Sequence, residues 1–397
     1  MVLEGWKIVE LCDICEINPR TEVIDQGVAV VFLAMSSISC SGKVDRYSIK
    51  KRCDIGQGYT FFKKRDILIA KITPCFENGK GAFLNDMPTQ FGFGSTEFHV
   101  LRAKEDLVLP EMLYHVTKSV HFRKHGEDNM EGSAGQQRVP VSFVQRYKCL
   151  LPPLMSQSII VDALSTWDRA IEQTTRLIEA KRQLKRGLMQ QLLTGKRRLS
   201  NFAYEPWHCI RIGKLFHERV DVGRDDLPLL SITADRGIVP RDDVEKRDTS
   251  SGDKARYKRI APGDIGYNTM RMWQGVSALS LLEGIISPAY TVCIPRSGID
   301  GQYAKHLFKY PPTVHEFWRH SQGMVDDTLN LKFPHFAEIK VHISTNILEQ
   351  KAIAAILDMV DRQVTLLENS ADVLKTQKQA LMQKLLTGQV RVKVEVE

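Results

Sequence analysis

The sequence lacks the long apolar run that a membrane helix needs. No stretch of eighteen consecutive apolar residues occurs in its 397 positions, whereas a spanning helix takes about 20. The opening, MVLEGWKIVE, also lacks the basic start and apolar core of a secretory signal. We therefore expect a cytoplasmic protein without a membrane segment.

Cysteine is sparse as well, with eight residues that show no repeated spacing. Scattered cysteines are typical of reduced thiols rather than of a disulfide framework. Cys12 and Cys15 form a CxxC, but they have no second pair and no nearby histidine to complete a zinc site. We expect two buried or half-buried thiols near a strand end, and no metal.

The composition that is present is ordinary for a globular chain, with 43% hydrophobic and 26% charged residues. A mass of 45.1 kDa is enough for two or three cores. The formal net charge of +8 and the pI near 9.0 favour a polyanionic partner. Since many basic proteins bind no nucleic acid, the charge alone does not identify that partner.

An octapeptide occurs twice, as LMQQLLTG at 188–195 and as LMQKLLTG at 381–388, 193 positions apart. The same offset relates Asp168 to Asp361 and Leu164 to Leu357. Both copies end in a glycine, at the point where a helix would end. The repeat therefore predicts two equivalent helices of about forty residues, each roughly 60 Å long.

Steps of four and three residues through both copies give the apolar seam of a coiled coil in matching register. The polar residues on these seams are Thr174, Lys181, Lys185 and Lys378. Each stripe could dock on its own globular domain, or the two helices could pair with each other. We favour pairing, because two equally long stripes in one register satisfy each other better than two compact domains would.

Each predicted helix follows a region of about 150 residues with short alternating stretches such as TEFHVL and YTVCIP. The regions open alike, with GWKIVELCDICEINPR and PWHCIRIGKLFHERVD. In both, a strand-like run enters a polar segment, RDILIAKITPCFENGKGAF from Arg65 and GDIGYNTMRMWQGVSAL from Gly263. The pattern predicts a mixed α and β domain followed by a helix, twice over.

These stretches resemble the DNA-specificity subunits of type I restriction-modification systems. The resemblance covers essentially the whole chain and is carried by WKIVELCDICEINP, KITPCFENGKGA, GSAGQQRVP, YNTMRMWQG and the two LLTG helix ends. It implies an α+β fold, with two tandem mixed α/β target-recognition domains separated by two long helices that form an antiparallel coiled coil. We predict recognition domains at 1–150 and 200–343, a central helix at 151–199 and a C-terminal helix at 344–397.

The resemblance also implies a function. Each domain would read one half of a bipartite site in double-stranded DNA. The implied partners are two adenine-N6 methyltransferase subunits and ATP-driven restriction, or translocase, subunits. S-adenosylmethionine, ATP and Mg are expected in those partners, and no cofactor is expected on this chain. One departure is that the second domain ends in DDTLNLKFPHF rather than in a copy of GSAGQQRVP.

Catalytic motifs are missing. Adenine methylation in this class calls for a tetrapeptide of Asn or Asp, two prolines and an aromatic residue, which the sequence does not contain. FGFGSTEF at 91–98 resembles a methyl-donor glycine loop, but such a loop opens a helix, and STEFHVL alternates as a strand. IEAK at 178–181 has a nuclease-like spacing within the coiled-coil pattern, where a solvated helix face is favoured. We expect no catalytic residue on this chain.

Base reading needs paired donors and acceptors, backed by cations on phosphates. The polar segments supply candidate DNA-binding residues, namely Lys71, Thr73, Asn78, Lys80, Gln136, Gln137 and Arg138 in the first domain, and Ser231, Thr233, Arg236, Arg241, Asn268, Thr269, Arg271 and Gln274 in the second. Arg271 suits a guanine edge, and Asn268 or Gln274 an adenine edge. Trp273 is expected to anchor its loop in the domain core rather than to stack on a base.

Two alternatives stay open. The basic run KRQLKRGLMQQLLTGKRR could be the outer face of a coiled coil or a docking surface for an acidic partner or DNA phosphates. The whole chain could instead be a protein-interaction adaptor, with tandem basic domains and helices that oligomerise between chains. Salt-dependent, sequence-selective binding to duplex DNA would distinguish recognition from adaptor function.

Overall fold

The computed structural model describes residues 5–133, 135–224, 226–233, 236–244 and 254–393. The chain divides into two compact units. The first unit is Met1–Thr174 with Ser370–Glu397, and the second unit is Thr175–Asn369. Both units mix helices and strands, as the sequence predicts.

Among its described residues, the first unit has ten strands and four short α-helices. The strands are β1 (Lys7–Glu10), β2 (Cys15–Ile17), β3 (Ala29–Leu33), β4 (Ser48–Lys51), β5 (Thr60–Lys63), β6 (Ile67–Ala70), β7 (Gly81–Phe83), β8 (Phe91–Gly94), β9 (Phe98–Ala103) and β10 (Lys148–Leu151). The short helices are α1 (Leu11–Ile14), α2 (Pro110–Lys118), α3 (Val120–Asp128) and α4 (Val141–Arg146). A long helix, α5 (Leu154–Leu192), begins in this unit.

Three sheets organise the first unit. One has the strand order β2-β9-β6-β7, a second has the order β4-β3-β8-β5, and β1 pairs antiparallel with β10. Strand β6 is buried on both faces, because Ile67 and Ile69 pack into the core beside α2 and α3 while Leu68 points into a separate core with β3. The end of β6 is thereby fixed from both sides.

The second unit repeats the plan. Its strands are β11 (Trp207–Arg211), β12 (Phe216–Glu218), β13 (Leu230–Thr233), β14 (Gly237–Pro240), β15 (Lys258–Ile260), β16 (Ile265–Asn268), β17 (Ser277–Leu279), β18 (Gly284–Ile286), β19 (Tyr290–Pro295) and β20 (Lys340–Ser344). Its helices are α6 (Ile212–Leu215), α7 (Gly301–Leu307), α8 (Pro311–His320), α9 (Phe333–Glu338) and the long α10 (Ile347–Leu386).

The sheets of the two units correspond strand by strand. The order β12-β19-β16-β17 matches β2-β9-β6-β7, and the pair β11-β20 matches β1-β10. The units differ in the remaining strands, which form a four-stranded sheet in the first unit and the two antiparallel pairs β13-β14 and β15-β18 in the second. Strands β6 and β16 are equivalent, and each leads into one of the polar segments that the sequence singles out.

The two long helices confirm the prediction from the repeated octapeptide. They contain 39 and 40 residues, and Gly195 and Gly388 follow them with positive φ angles of 69° and 71°. Each unit contains part of both helices. In the second unit Lys185 Nζ lies 2.6 and 2.7 Å from the carboxylate oxygens of Asp361.

The first unit has the equivalent ion pair, with Lys378 Nζ at 2.5 Å from Asp168 Oδ1. Since the later residue of one helix meets the earlier residue of the other in both pairs, the helices run antiparallel. Lysines that interrupt the apolar seam in the sequence thus make ion pairs between helices. Polar seam residues of this kind specify register at some cost in stability.

Docking on the domains accompanies the pairing of the helices. In the first unit Ile160 and Leu164 from α5 and Leu385 from α10 join the core of α2, α3 and β6. In the second unit, residues of both helices join the core of α7, α8 and β16, namely Met189, Leu192, Leu193, Ile353, Ala354 and Leu357. The apolar stripes therefore serve both predicted purposes. Each long helix packs against a domain core and also pairs with the other long helix.

Buried glutamines fasten the long helices to the domains in the same way twice. Gln157 Oε1 accepts a hydrogen bond from Leu109 N at 2.8 Å, and its Nε2 donates to the carbonyl of Pro152 at 2.9 Å. Gln350 Oε1 accepts from Asp300 N at 2.7 Å, and its Nε2 donates to the carbonyl of Ser344 at 2.8 Å. Both side chains are fully buried, so these bonds fix how each helix leaves its domain.

Candidate nucleic-acid interface

The polar segment at 71–80 follows β6 and is bonded to residues 136–139. Val139 N donates to the carbonyl of Lys71 at 2.8 Å, and Thr73 N donates to the carbonyl of Gln137 at 2.9 Å. Two groups of predicted residues that are far apart in the sequence therefore lie side by side. We call residues 131–139, which complete this arrangement, the closing segment of the first unit.

Arg138 is held in the closing segment by Glu97. Its Nε donates to Glu97 Oε2 at 3.0 Å and its Nη2 donates to Glu97 Oε1 at 2.9 Å. Its Nη1 donates to the carbonyl of Gln136 at 3.1 Å. The hydrogen bonds and charge of Arg138 lower the pKa of Glu97, so the pair is ionised at neutral pH.

The rest of the polar segment is tied to a turn at 39–43. Lys118 Nζ donates to the carbonyls of Gly79 at 2.8 Å and Cys40 at 3.1 Å, and burial lowers the pKa of this lysine to about 8. Lys80 Nζ donates to the carbonyl of Met35 at 3.3 Å. Asn78 is exposed. Lys80 is thus partly committed to the fold, whereas Asn78 is open to solvent.

The second unit builds an equivalent loop after β16. Thr269 Oγ1 donates to the carbonyl of Ala289 at 2.7 Å, and Leu331 N donates to the carbonyl of Thr269 at 2.9 Å. Arg271 and Gln274 are exposed. Asn268 is partly buried, and its Oδ1 accepts from Met270 N at 3.0 Å. The polar side-chain groups of Arg271 and Gln274 are therefore the more accessible ones in this loop.

The hairpin β13-β14 contains the other predicted residues of the second unit. Ile232 and Ile238 face Gly266 of β16, where an added Cβ would lie 2.6 Å from Ile232 Cδ1. A side chain at 266 would displace the tip of Ile232, because the hairpin packs directly on this strand. The hairpin therefore lies over the strand that leads into the 268–274 loop.

The polar side chains of this hairpin differ in how many hydrogen bonds they make to the backbone. Thr233 Oγ1 donates to the carbonyl of Gly237 and accepts from Arg236 N, both at 3.0 Å. Arg236 Nη2 donates to the carbonyl of Asp243 at 2.9 Å. Ser231 is partly exposed, and the charge of Arg241 acts on the hydroxyl of Tyr290, opposing the rise of its pKa on burial. Thr233 shapes the turn, and Arg236 remains exposed beside it.

The second unit also has a closing segment, at residues 322–331. Gln322 and Asn330 form an antiparallel bridge, as Glu131 and Arg138 do in the first unit. Leu331 occupies the backbone position of Val139. DDTLNLKFPHF therefore builds the same closing geometry as GSAGQQRVP without resembling it. Asn330, the counterpart of Arg138, is a candidate residue that the sequence interpretation missed.

Trp273 departs from the prediction. Its side chain is partly exposed, and its Nε1 donates to the carbonyl of Met270 at 3.0 Å. Met272 is the fully buried residue of this turn. The expectation that Trp273 fills the core was wrong, because the turn directs the neighbouring methionine inward. The indole instead braces its own loop.

The CxxC also differs in part from its prediction. Cys15 is buried at the start of β2, and its Sγ donates to the carbonyl of Leu11 at 3.0 Å. Burial raises the pKa of Cys15 to about 12, which favours the thiol over the thiolate that binds metals. Cys12 is exposed rather than buried or half-buried.

Within the described part of the chain, His306, Asp358 and Asp361 bring three possible metal ligands within 4.8 Å of one another. Lysines already occupy both carboxylates, since Lys305 Nζ lies 2.5 Å from Asp358 Oδ1 and Lys185 pairs with Asp361. Burial, assisted by the two lysines, lowers the pKa of His306 to about 4. These side chains form an ion-pair network on the helix seam rather than a metal centre.

Comparison with known proteins agrees with this architecture. Residues 3–182 match the family model of the type I restriction modification DNA specificity domain. The chain is similar to type I specificity subunits. It is 36% identical over 248 residues to the specificity subunit of the type I restriction enzyme EcoAI from Escherichia coli, a match that covers 60% of this chain and 41% of that protein.

A second relative is the EcoEI specificity subunit from Escherichia coli, with 39% identity over 196 residues, 48% of this chain and 33% of that protein. The matched segments span less than half the length of both relatives. A solved structure described as the basis of complex assembly and conformational transition of the type I R-M system matches with a TM-score of 0.59. It is 19% identical and covers 98% of this chain and 100% of that one, which shows the fold.

The turn at 39–43 of this chain is a further candidate for DNA contact, which becomes visible only in the structure. Ile38 bridges Val44 as Ile232 pairs with Ile238 in the second unit. Ser39 Oγ accepts from Lys43 N at 3.0 Å and shapes the turn as Thr233 does. Lys43 is exposed. The signal in the sequence was the likeness of SISCSGKV to SITADRGIV, which becomes clear once both are seen as hairpins.

No helix in the described ranges combines the length and the apolar character that crossing a membrane would require.

Proposed function

We propose that this chain is the DNA sequence-recognition subunit of a type I restriction-modification enzyme. It reads a bipartite site in duplex DNA and directs adenine-N6 methylation and restriction by partner subunits. The observation that supports this most is the duplicated loop geometry. In both units a polar segment after an equivalent strand, β6 or β16, is bonded to a closing segment.

The chemistry of these loops suits base reading. Arg271 and Gln274 are exposed after β16, and Asn78 is exposed after β6. Arginine can donate two bonds to guanine, while glutamine and asparagine can pair with adenine. The predicted residues that are tied to backbone carbonyls, such as Lys80 and Thr233, are better placed to shape the loops or reach phosphates.

The rest of the proposed assembly is what the resemblance of the sequence implies. This chain contributes no catalytic residue and no cofactor. Two methyltransferase subunits supply S-adenosylmethionine, and restriction or translocase subunits supply ATP and Mg. The four predicted domain limits stay part of the proposal. The similarity to specificity subunits does not favour the adaptor alternative.

The test is a binding selection with the full chain and its co-expressed methyltransferase subunits on a library of randomised duplexes. We expect enrichment of two short sequences at a fixed separation, with binding that weakens as salt rises. Purified chain alone, given S-adenosylmethionine, ATP and Mg, should neither methylate nor cut the selected duplex. Selection of no common sequence, or methyl transfer by the chain alone, would contradict the proposal.

A further inference from the structure

Glu97 and Arg138 form a unit whose two members are replaced together in the other half of the chain. Lys71 N donates to the carbonyl of Glu97 at 2.9 Å, and Thr269 N donates to the carbonyl of Ala289 at 3.3 Å. Ala289 is therefore the counterpart of Glu97, as Asn330 is the counterpart of Arg138. The second unit lacks the carboxylate where it also lacks the guanidinium.

The bonds of Arg138 leave a defined part of the side chain available. A guanidinium has five N–H donors, one on Nε and two on each Nη. Glu97 takes the donor on Nε and one on Nη2, and the carbonyl of Gln136 takes one on Nη1. Among the described residues, one N–H on Nη1 and one on Nη2 then remain without a partner. Two adjacent donors are what the O6 and N7 acceptors of guanine require.

We propose that Glu97 is a positioning residue for base reading, which holds Arg138 so that its two remaining donors meet a guanine edge in the first half-site. This inference rests on the proposed function. The carboxylate restricts a long side chain before DNA arrives, so less conformational entropy is lost on binding. It also places a negative charge beside the DNA, which weakens binding to phosphates wherever guanine is absent.

These two effects give Glu97 a distinctive signature. Glu97→Gln keeps the size of the side chain but removes its charge. We expect discrimination at one base pair of the first half-site to fall about fivefold or more. Affinity for unrelated duplex DNA should stay the same or rise, because the site gains positive charge. If Glu97 were needed only for folding, its substitution would lower both the discrimination and the affinity for unrelated duplex DNA.

The measurement uses the full chain with its methyltransferase subunits, the selected duplex and every single-base variant of it. Arg138→Ala should abolish discrimination at the same base pair. Glu97→Gln made in the Arg138→Ala background should then have no further effect on discrimination, because Glu97 acts through the arginine. Glu283→Gln is the matched control, since it removes a carboxylate bonded to Arg259 at 2.6 Å in the second unit.

The outcomes separate the two proposals. If wild-type protein selects a site and Glu97→Gln leaves discrimination unchanged at every position, this inference is overturned and the proposed function stands. An effect of Glu97→Gln that persists without Arg138, or that Glu283→Gln reproduces, would also overturn it. If wild-type protein selects no sequence, both proposals are overturned.

Discussion

The two units have the same backbone arrangement at their equivalent loops and differ in the side chains that these loops expose. Strands β6 and β16 end at equivalent points, and Val139 and Leu331 of the closing segments donate to the carbonyls of Lys71 and Thr269, the residues that follow these strands. The presented side chains are nevertheless unrelated, with Arg138 in one unit and Asn330 in the other. The difference teaches that backbone bonds hold the loop geometry, which leaves the exposed side chains free to vary between the units.

A buried aspartate at the start of β6 and of β16 shows the same principle inside each unit. Asp66 accepts from Arg102 Nε and Nη2 at 2.9 and 2.8 Å, and Asp264 accepts from Arg219 Nε and Nη2 at 2.8 and 3.0 Å. Arg102 lies on β9, whereas Arg219 follows β12. The carboxylate keeps its place before β6 and β16, while its partner comes from different strands.

The largest expected effect comes from removing these aspartates one at a time. Asp66→Ala or Asp264→Ala leaves a partly buried arginine without its partner and should cost about 3–5 kcal/mol of unfolding free energy. Hydrogen exchange measured by mass spectrometry should show the loss in the unit that contains the substitution. Asp226→Ala, which breaks the exposed pair with Arg224, is the control and should change little. Similar losses in both units would show that their cores are not separate.

Acid should destabilise both units through a buried histidine in each. Burial lowers the pKa of His115 to about 3 and that of His306 to about 4, from an ordinary value of 6.5. The neutral forms thus contribute stability that is complete above pH 6.5 and is lost as the pH falls toward the folded-state values. Urea unfolding between these pH values measures this loss.

His115→Phe should reduce the acid dependence of the first unit, where burial also lowers the pKa of His99, and should leave that of the second unchanged. The comparison is sharpened by Asp358, which bonds His306 at 2.8 Å and favours its charged form. Asp358→Asn should therefore lower the pKa of His306 further. Proton chemical shifts of His115 and His306 that titrate near pH 6.5 in the wild type would contradict the lowered pKa of both residues.

The smallest expected effect concerns the seam lysines. Lys185→Met and Lys378→Met replace a polar seam residue with an apolar one of similar length, and each should raise the unfolding free energy by up to about 1 kcal/mol. Thermal melting measures the change in stability. Lys181→Met is the control, because Lys181 is the remaining lysine on the predicted seam. A marked loss of stability in either variant would show that the ion pairs outweigh the cost of burying a lysine.

Local pattern made much of this fold predictable. The octapeptides, the apolar steps and Gly195 and Gly388 predicted the long helices because these signals act within a few turns of helix. STEFHVL was correctly assigned to a strand, β9, because its alternation is local as well, whereas the preceding FGFG, interpreted as a tight turn, forms β8. RDILIA similarly predicted β6.

Features that depend on distant residues were not predictable. Nothing near Thr269 shows that Leu331 will bond to its carbonyl, because the pairing joins segments separated by some sixty residues. The bond between Glu97 and Arg138 has the same origin. The predicted list of site residues therefore contained Arg138 but neither Glu97 nor Asn330, and their direct contact with DNA stays a prediction.

The turn at 39–43 gives the first unit a chemical reporter of its own. Cys40 is exposed on this turn, and its carbonyl is bonded to the lysine that also holds the 71–80 segment. Cys15 and Cys149, by contrast, have their thiol pKa raised to about 12 by burial. Alkylating reagents at neutral pH will therefore spare these buried thiols and react with the exposed Cys12, Cys40 and Cys53, so that modification mapped to Cys40 by mass spectrometry records how open the turn is to solvent.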